Sequence, residues 1–119
     1  MAYNSFENLE VWKRSCKLAV TIYEILRSCK DFGLKDQMTR AAISIASNIA
    51  EGAERNSKAE FIRFLHIAKG SAAELRTQVY IATNIGVLTE PVKKELSEEL
   101  KTISSMLHAL IVSLQRPKT

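Results

Sequence analysis

A stripe of polar side chains runs along one face of a segment that is otherwise rich in Ala and Ile. At about 100° per residue, its members share one narrow face of a helix. They are Gln37, Arg40, Ser44, Asn48, Glu51 and Arg55. An exposed helix usually carries long Lys and Glu side chains on its polar face, whereas the centre of this face holds short Ser and Asn side chains. The pattern indicates a helix that is covered on most sides, with its polar face against another helix or another subunit.

This stripe, with Ser71, Glu74 and Gln78 of a later segment, is also the candidate for convergent titratable groups. Arg and carboxylate side chains in such a set are expected to pair, because buried charges need partners. We interpret the set as a polar network that sets helix register or holds a subunit interface. The sequence has no Gly-rich phosphate loop, nucleophile elbow or zinc-protease motif. We therefore expect that the protein is not an enzyme.

The residue types that bind metals are scattered along the sequence. His66 and His108 have no Cys or carboxylate at ligand spacing, and the Glu-x-x-His pairs of di-iron bundles are absent. Cys16 and Cys29 are expected on one helix, about 20 Å apart, too far for a disulfide. The sequence predicts no metal, no cofactor and two reduced cysteines.

Two groups of cations are candidates for phosphate contacts in nucleic acid. The first group, on the first helix, is Lys13, Arg14 and Lys17; the second, on the third helix, is Arg63, Lys69 and Arg76. The net charge of +4 and the isoelectric point of about 9.2 permit such contacts without requiring them. No aromatic side chain is recognised among these cations in the sequence, so binding by charge and shape is expected rather than stacking on bases.

The apolar spacing predicts four helices in a single domain, residues 1–119. The helices are expected at about residues 7–29, 34–53, 58–85 and 90–115. Ser57 and Glu60 have the spacing of a capping box at the start of the third helix, and Thr89 with Pro91 marks the start of the fourth. Gly70 falls inside the third helix, where Gly costs about 1 kcal/mol relative to Ala, so we expect a neighbouring helix to pass close to it.

The faces of these helices predict an antiparallel four-helix bundle with up-down-up-down topology. The fourth helix has a 4-3 apolar repeat, and the first helix has two apolar stripes. The repeat of the fourth helix comprises Leu96, Leu100, Ile103, Leu107, Leu110 and Leu114. One stripe of the first helix comprises Leu9, Trp12, Cys16, Ala19, Tyr23 and Leu26. The other stripe comprises Val11, Leu18, Ile22 and Ile25. No signal peptide or membrane span is recognised, so a cytoplasmic protein is expected.

The chain also resembles a known family. The most specific motifs are Ser-Ile-x-x-Asn-Ile-Ala-Glu-Gly at residues 44–52 and Gly-Ser-x-x-Glu-Leu at residues 70–75, and the similarity begins near Phe6. These motifs resemble the four-helix bundle proteins encoded within intervening sequences of bacterial 23S ribosomal RNA genes. Their relatives include the accessory variability protein of diversity-generating retroelements.

The resemblance implies a bundle that assembles into a homo-oligomeric ring, with five subunits expected. Such a ring agrees with the apolar arc of the second helix, which is too wide for one neighbour. Our leading hypothesis is a non-enzymatic oligomer that binds structured RNA through its basic patches. The alternative is a scaffold that binds a partner protein, such as a polymerase or reverse transcriptase.

Overall fold

The computed structural model describes residues 5–117, and all secondary structure in that range is helical. A short 3₁₀ helix at Phe6–Asn8 precedes four α-helices, which are α1 (Glu10–Ile25), α2 (Phe32–Glu54), α3 (Lys58–Asn84) and α4 (Glu90–Gln115). None of the helices in this range is long and apolar enough to cross a membrane.

The helix ends follow local capping chemistry. The side chains of Asp31, Ser57 and Thr89 accept hydrogen bonds from backbone N–H groups in the first turns of α2, α3 and α4. At the end of α3, Val87 N donates to Ala82 O at 2.8 Å and Gly86 N donates to Thr83 O at 3.1 Å. This is the Schellman motif, and it requires the positive φ of 84° that Gly86 adopts.

The first helix is shorter than the sequence predicts. Leu9 has an extended conformation, so the segment before it forms a separate 3₁₀ turn. After Ile25 the chain continues in non-helical turns, which places Cys29 in the connection to α2. Both cysteines are free and half-buried.

Short connections make successive helices antiparallel. Only residues 55–57 join α2 to α3, although α2 has 23 residues and is about 35 Å long. A connection of this length cannot carry the chain back along α2, so α3 must begin beside the end of α2. The helices pack in sequence order and α1 also contacts α4, within a body of 52 × 19 × 19 Å. The predicted all-α four-helix fold is confirmed.

The core confirms most of the predicted apolar faces, with one difference on α1. The apolar spacing predicts a core stripe on α3, and all of its members are buried: Phe61, Phe64, Leu65, Ala68, Ala72, Leu75, Val79 and Ala82. The first four members of the α4 repeat are also buried; beyond them Ile111 is buried, and Leu110 is half-buried. On α1, the buried residues are Val11, Ser15, Leu18 and Ile22. In the other apolar stripe of α1 only Tyr23 is fully on the outside, at 53% exposure, whereas Leu26 after the helix is buried and the remaining members are half-buried; Ile25, of the stripe with Leu18 and Ile22, is 38% exposed.

The close helix approach occurs at Gly52 and not at Gly70. A Cβ added to Gly52 would lie 2.6 Å from Cβ of Phe64 and 3.2 Å from Cδ1 of Phe61, both on α3. A Cβ added to Gly70 would meet no atom within 4 Å. The expectation that a helix passes close to Gly70 is therefore wrong, because that residue lies on an exposed face of α3.

Substitution of these two glycines by alanine should have opposite effects on stability. Gly52→Ala should lower the free energy of unfolding by about 1–3 kcal/mol, because the methyl group overpacks the α2–α3 contact. Gly70→Ala is the control and should raise it by up to about 1 kcal/mol, because alanine is the better helix former. Urea denaturation at one protein concentration measures both, and equal effects of the two changes would contradict the assigned close approach.

Candidate nucleic-acid interface

Three members of the predicted polar set meet between α2 and α3. Ser44 Oγ and Ser71 Oγ are 2.9 Å apart, and Asn48 Nδ2 donates to Ser44 O at 2.8 Å and to Ser44 Oγ at 2.9 Å. Ser71 is buried, and Ser44 and Asn48 are half-buried. These hydroxyl and amide groups satisfy one another, and none of the three side chains titrates near neutral pH. The cluster can therefore fix the register of α2 against α3, but it does not supply an acid or a base.

The charged members of the set pair elsewhere, at the surface. Arg40 Nε lies 3.0 Å from Asp36 Oδ2, and Arg55 lies 2.9 Å from Glu51 Oε2, in each case one turn away on α2. Gln37 and Glu74 are exposed. Gln78 is buried, and its Oε1 has no hydrogen-bond partner among the described residues. The tertiary structure thus separates the charged residues from the serine and asparagine cluster.

The cations of α1 lie in a groove that also holds many carboxylates. Lys13, Arg14 and Lys17 line the groove between α1 and α4 together with Glu10, Glu95, Glu98 and Glu99. Arg14 donates to both carboxylate oxygens of Glu99, at 2.6 and 3.0 Å. The hydrogen bond to Glu99 raises the pKa of Arg14. Because acids outnumber bases here, this groove offers phosphate little net attraction.

Arg63 is also paired, beside the turn between α2 and α3. Its Nε donates to Glu60 Oε2 at 3.1 Å, and its guanidinium carbon lies 4.5 Å from the ring centroid of Phe64. Arg55 lies on the same ring at 5.0 Å. The hydrogen bond from Arg63 lowers the pKa of Glu60. Lys69, another of the predicted phosphate contacts, is half-buried on α3.

Arg76, one of the predicted phosphate contacts, lies in a groove that has more basic than acidic side chains. This groove, of about 730 Å³, separates the outer faces of α3 and α4. Its charged lining residues are Arg76, Lys93, Lys94, Lys101, Glu90 and Glu98. Lys93 contacts Glu90 at 3.7 Å, and its ammonium lies 5.4 Å from the ring centroid of Tyr80, which also lines the groove. The groove is thus lined by four cations, two carboxylates and one aromatic ring.

Sequence reasoning missed the three lysines of α4 and Tyr80 as parts of this site. The expectation that no aromatic side chain lies among the candidate cations is wrong for Arg76, since Tyr80 is one helical turn further along α3. That i, i+4 spacing is visible in the sequence. The pairing of α3 with the lysines of α4 depends on how the two helices pack.

A third surface groove is apolar and lies between α1 and α2. It has a volume of about 340 Å³. Its lining residues are Phe6, Trp12, Cys16, Ala19, Ile43, Ala46, Ser47 and Ala50. Phe6 and Trp12 form an edge-to-face pair with ring centroids 5.2 Å apart, and partial burial raises the pKa of the Cys16 thiol. Trp12, Cys16 and Ala19 of α1 therefore form one wall of an apolar surface groove.

Residues 5–117 contain no group of three His, Cys, Asp or Glu side chains that could hold a metal ion. His66 and His108 are both exposed, on α3 and α4.

Comparison with known proteins assigns the family. The family model for the 23S rRNA-intervening sequence protein matches residues 7–109. The chain belongs to this family. A similar solved structure is that of a protein of unknown function from the S23 ribosomal protein family of Bacteroides thetaiotaomicron. It is 28% identical, with a TM-score of 0.80, and the match covers 85% of this chain and 97% of that one. No curated protein matches the chain.

This 23S rRNA-intervening sequence family member should show an acid-sensitive ion pair at Glu60. Its carboxyl pKa lies below the ordinary glutamate value, so the pair stabilises the fold at neutral pH. That contribution should disappear as the pH falls through the lowered pKa. NMR titration should show the pKa of Glu60 rising in Arg63→Gln, with Arg40→Gln as a matched control. An unchanged pKa of Glu60 in Arg63→Gln would contradict this assignment.

Proposed function

We propose that this chain is a non-enzymatic subunit of a homo-oligomeric ring that binds structured RNA through its basic surface. The observation that supports RNA binding most directly is the groove between α3 and α4, where four cations face two carboxylates. Phosphates bound there would release counterions from the RNA, and that release is a large part of the affinity. The family name, which refers to an intervening sequence of 23S rRNA, supports RNA as the ligand.

The distribution of ion pairs favours this groove over Arg14 and Arg63. Arg14 and Arg63 already donate to carboxylates, so a phosphate would have to displace Glu99 or Glu60 to reach them. Within the basic groove, Lys93 pairs with Glu90 at the longer N–O distance of 3.7 Å. Arg76, Lys94 and Lys101 are exposed and are therefore our principal phosphate contacts.

The proposal of a non-catalytic role rests on the α2–α3 cluster. Its groups are two serine hydroxyls and one amide, which bind each other and present no titratable partner to a substrate. A general acid or base needs a titratable group within reach of the reacting atoms. The described residues of this cluster offer none, so we assign it to the register of the helices.

The ring is supported by the apolar surface that one bundle leaves uncovered. Half-buried residues of α1 and the adjacent face of α2 form the apolar groove, and Ile43 on its wall is 49% exposed. A contiguous exposed apolar patch commonly marks a protein interface. We assign this surface to contacts between subunits, in the ring of five that the resemblance to the family implies. A partner protein in the same groove is the alternative occupant.

RNA affinity should fall steeply with salt and depend on the groove cations. For a structured RNA hairpin, we expect log Kd to rise linearly with log salt concentration. The double variant Arg76→Gln, Lys101→Gln should lower the slope by about 0.7–0.9 for each phosphate that these side chains neutralise in the wild type. Arg40→Gln removes an exposed charge outside the groove and should leave the slope nearly unchanged. Absence of binding at low salt, or a slope of zero, would overturn the proposal.

The native mass should report the proposed subunit interface. We expect light scattering to give about five subunits for the wild type, and a smaller assembly for Ile43→Glu, because a charge would be buried in the apolar contact. Ile81→Glu is a matched control, since Ile81 is 47% exposed on α3, outside the groove. A monomeric wild type would exclude the ring, and an unchanged mass for Ile43→Glu would exclude this interface.

A further inference from the structure

Tyr80 is an aromatic side chain that the bundle core does not use. It is 60% exposed on α3, although its neighbours Val79 and Ala82 are fully buried. The ring lines the basic groove, where Lys93 lies 5.4 Å from its centroid. Much of the ring surface stays accessible even with this lysine against it. A large exposed ring in a cationic groove has the two properties that single-stranded nucleic acid requires of a binding surface.

The cations around Tyr80 are spaced along both walls of the groove. Arg76 precedes Tyr80 by one turn of α3, and on α4 Lys94 and Lys101 are separated by two turns. Seven residues of helix correspond to about 10 Å along the axis. The cations are therefore spread along the groove and do not converge on one point. The groove can therefore contact a short strand rather than one phosphate.

Only an unpaired nucleotide can use both features at once. In a duplex the faces of the bases are covered by their stacked neighbours, so a protein ring meets phosphates and groove edges instead. A base in a loop or bulge can turn outward and stack on an aromatic side chain. Each base has such a face, so this contact selects for an unpaired strand without selecting a sequence.

We propose that the α3–α4 groove binds an unpaired segment of RNA, with one base stacked on Tyr80 and the adjoining phosphates on Arg76, Lys94 and Lys101. The inference rests on the proposed RNA-binding function and adds to it the part of the RNA that is recognised. Glu90 and Glu98 lie in the same groove, and on α4 Glu98 lies between Lys94 and Lys101. These carboxylates weaken the attraction of the two lysines for phosphate, but the cations of the groove remain in excess, and Arg76 on α3 lies on the opposite wall.

The test compares two RNA probes that carry equal numbers of phosphates. One is a hairpin with an unpaired loop, and the other is a blunt-ended duplex. The wild type should bind the hairpin more tightly than the duplex at the same salt concentration. Tyr80→Ala should weaken hairpin binding at least about fivefold, as expected for the loss of one stacked base, and should change duplex binding little.

Two further variants separate stacking from general effects. Tyr80→Phe keeps the ring and should retain the preference for the hairpin. Phe32→Ala removes another exposed ring, 73% accessible at the start of α2, and should bind both probes as the wild type does. Circular dichroism and native mass should be unchanged in Tyr80→Ala, because the residue lies at the surface.

Adenosine monophosphate serves as a competitor, because a free nucleotide also offers a base and a phosphate. Adenosine monophosphate should displace the bound hairpin only at concentrations far above those at which unlabelled hairpin displaces it. Displacement at equal concentrations would identify a mononucleotide site and overturn the inference.

The outcomes distinguish this inference from the proposed function. If hairpin and duplex bind equally and Tyr80→Ala binds the hairpin as the wild type does, the stacking site is excluded while salt-dependent RNA binding stands. If the hairpin binds through Tyr80 with no dependence on salt, the electrostatic proposal fails and the stacking site stands. If neither probe binds at low salt, both are overturned.

Discussion

The close contact between α2 and α3 constrains the position of every other helix in the bundle. Small residues make it possible. Gly52 and Ala42 on α2, and Ala68 and Ala72 on α3, are buried with little side-chain volume. At Gly52 the aromatic residues of α3 occupy the space that a Cβ would need. Close approach increases dispersion contacts along the helices and brings the hydroxyl groups of Ser44 and Ser71 to 2.9 Å from each other. The polar cluster favours this register, because a shift along the axis would separate the buried Ser71 from its partner.

Once α2 and α3 are placed, the remaining helices cover what these two leave exposed. The apolar repeat of α4 packs on α3 and buries Leu100, Ile103 and Leu107 completely. The helix α1 has two apolar stripes, and the one that contains Leu18 and Ile22 is the more deeply buried. In the other stripe Trp12 is half-buried and Tyr23 is exposed. The residues of α1 and α2 that line the apolar groove are therefore covered only in part within one subunit.

The charges of the surface are divided by the same packing. Where α1 meets α4, bases face acids and Arg14 is held by both oxygens of Glu99. Where α3 meets α4, bases outnumber acids and an exposed tyrosine lies among them. A chain with a net charge of only +4 can thus have a markedly cationic groove, because ion pairing neutralises much of the charge elsewhere.

The sequence by itself determined the four helices, most of their ends and the faces of α3 and α4 that form the core. These features depend on periodicity and on capping residues such as Ser57 and Thr89, which act within a few residues of themselves. Only the tertiary structure decided which stripe of α1 is buried, that the close approach falls at Gly52 rather than Gly70, and that Ser44 meets Ser71 while Arg40 does not join them. It also decided that Arg76 and Tyr80 face the lysines of α4. Periodicity gives the faces of one helix, but contacts between residues distant in sequence depend on the relative rotation and register of two helices. Those are set by the summed packing of the whole core.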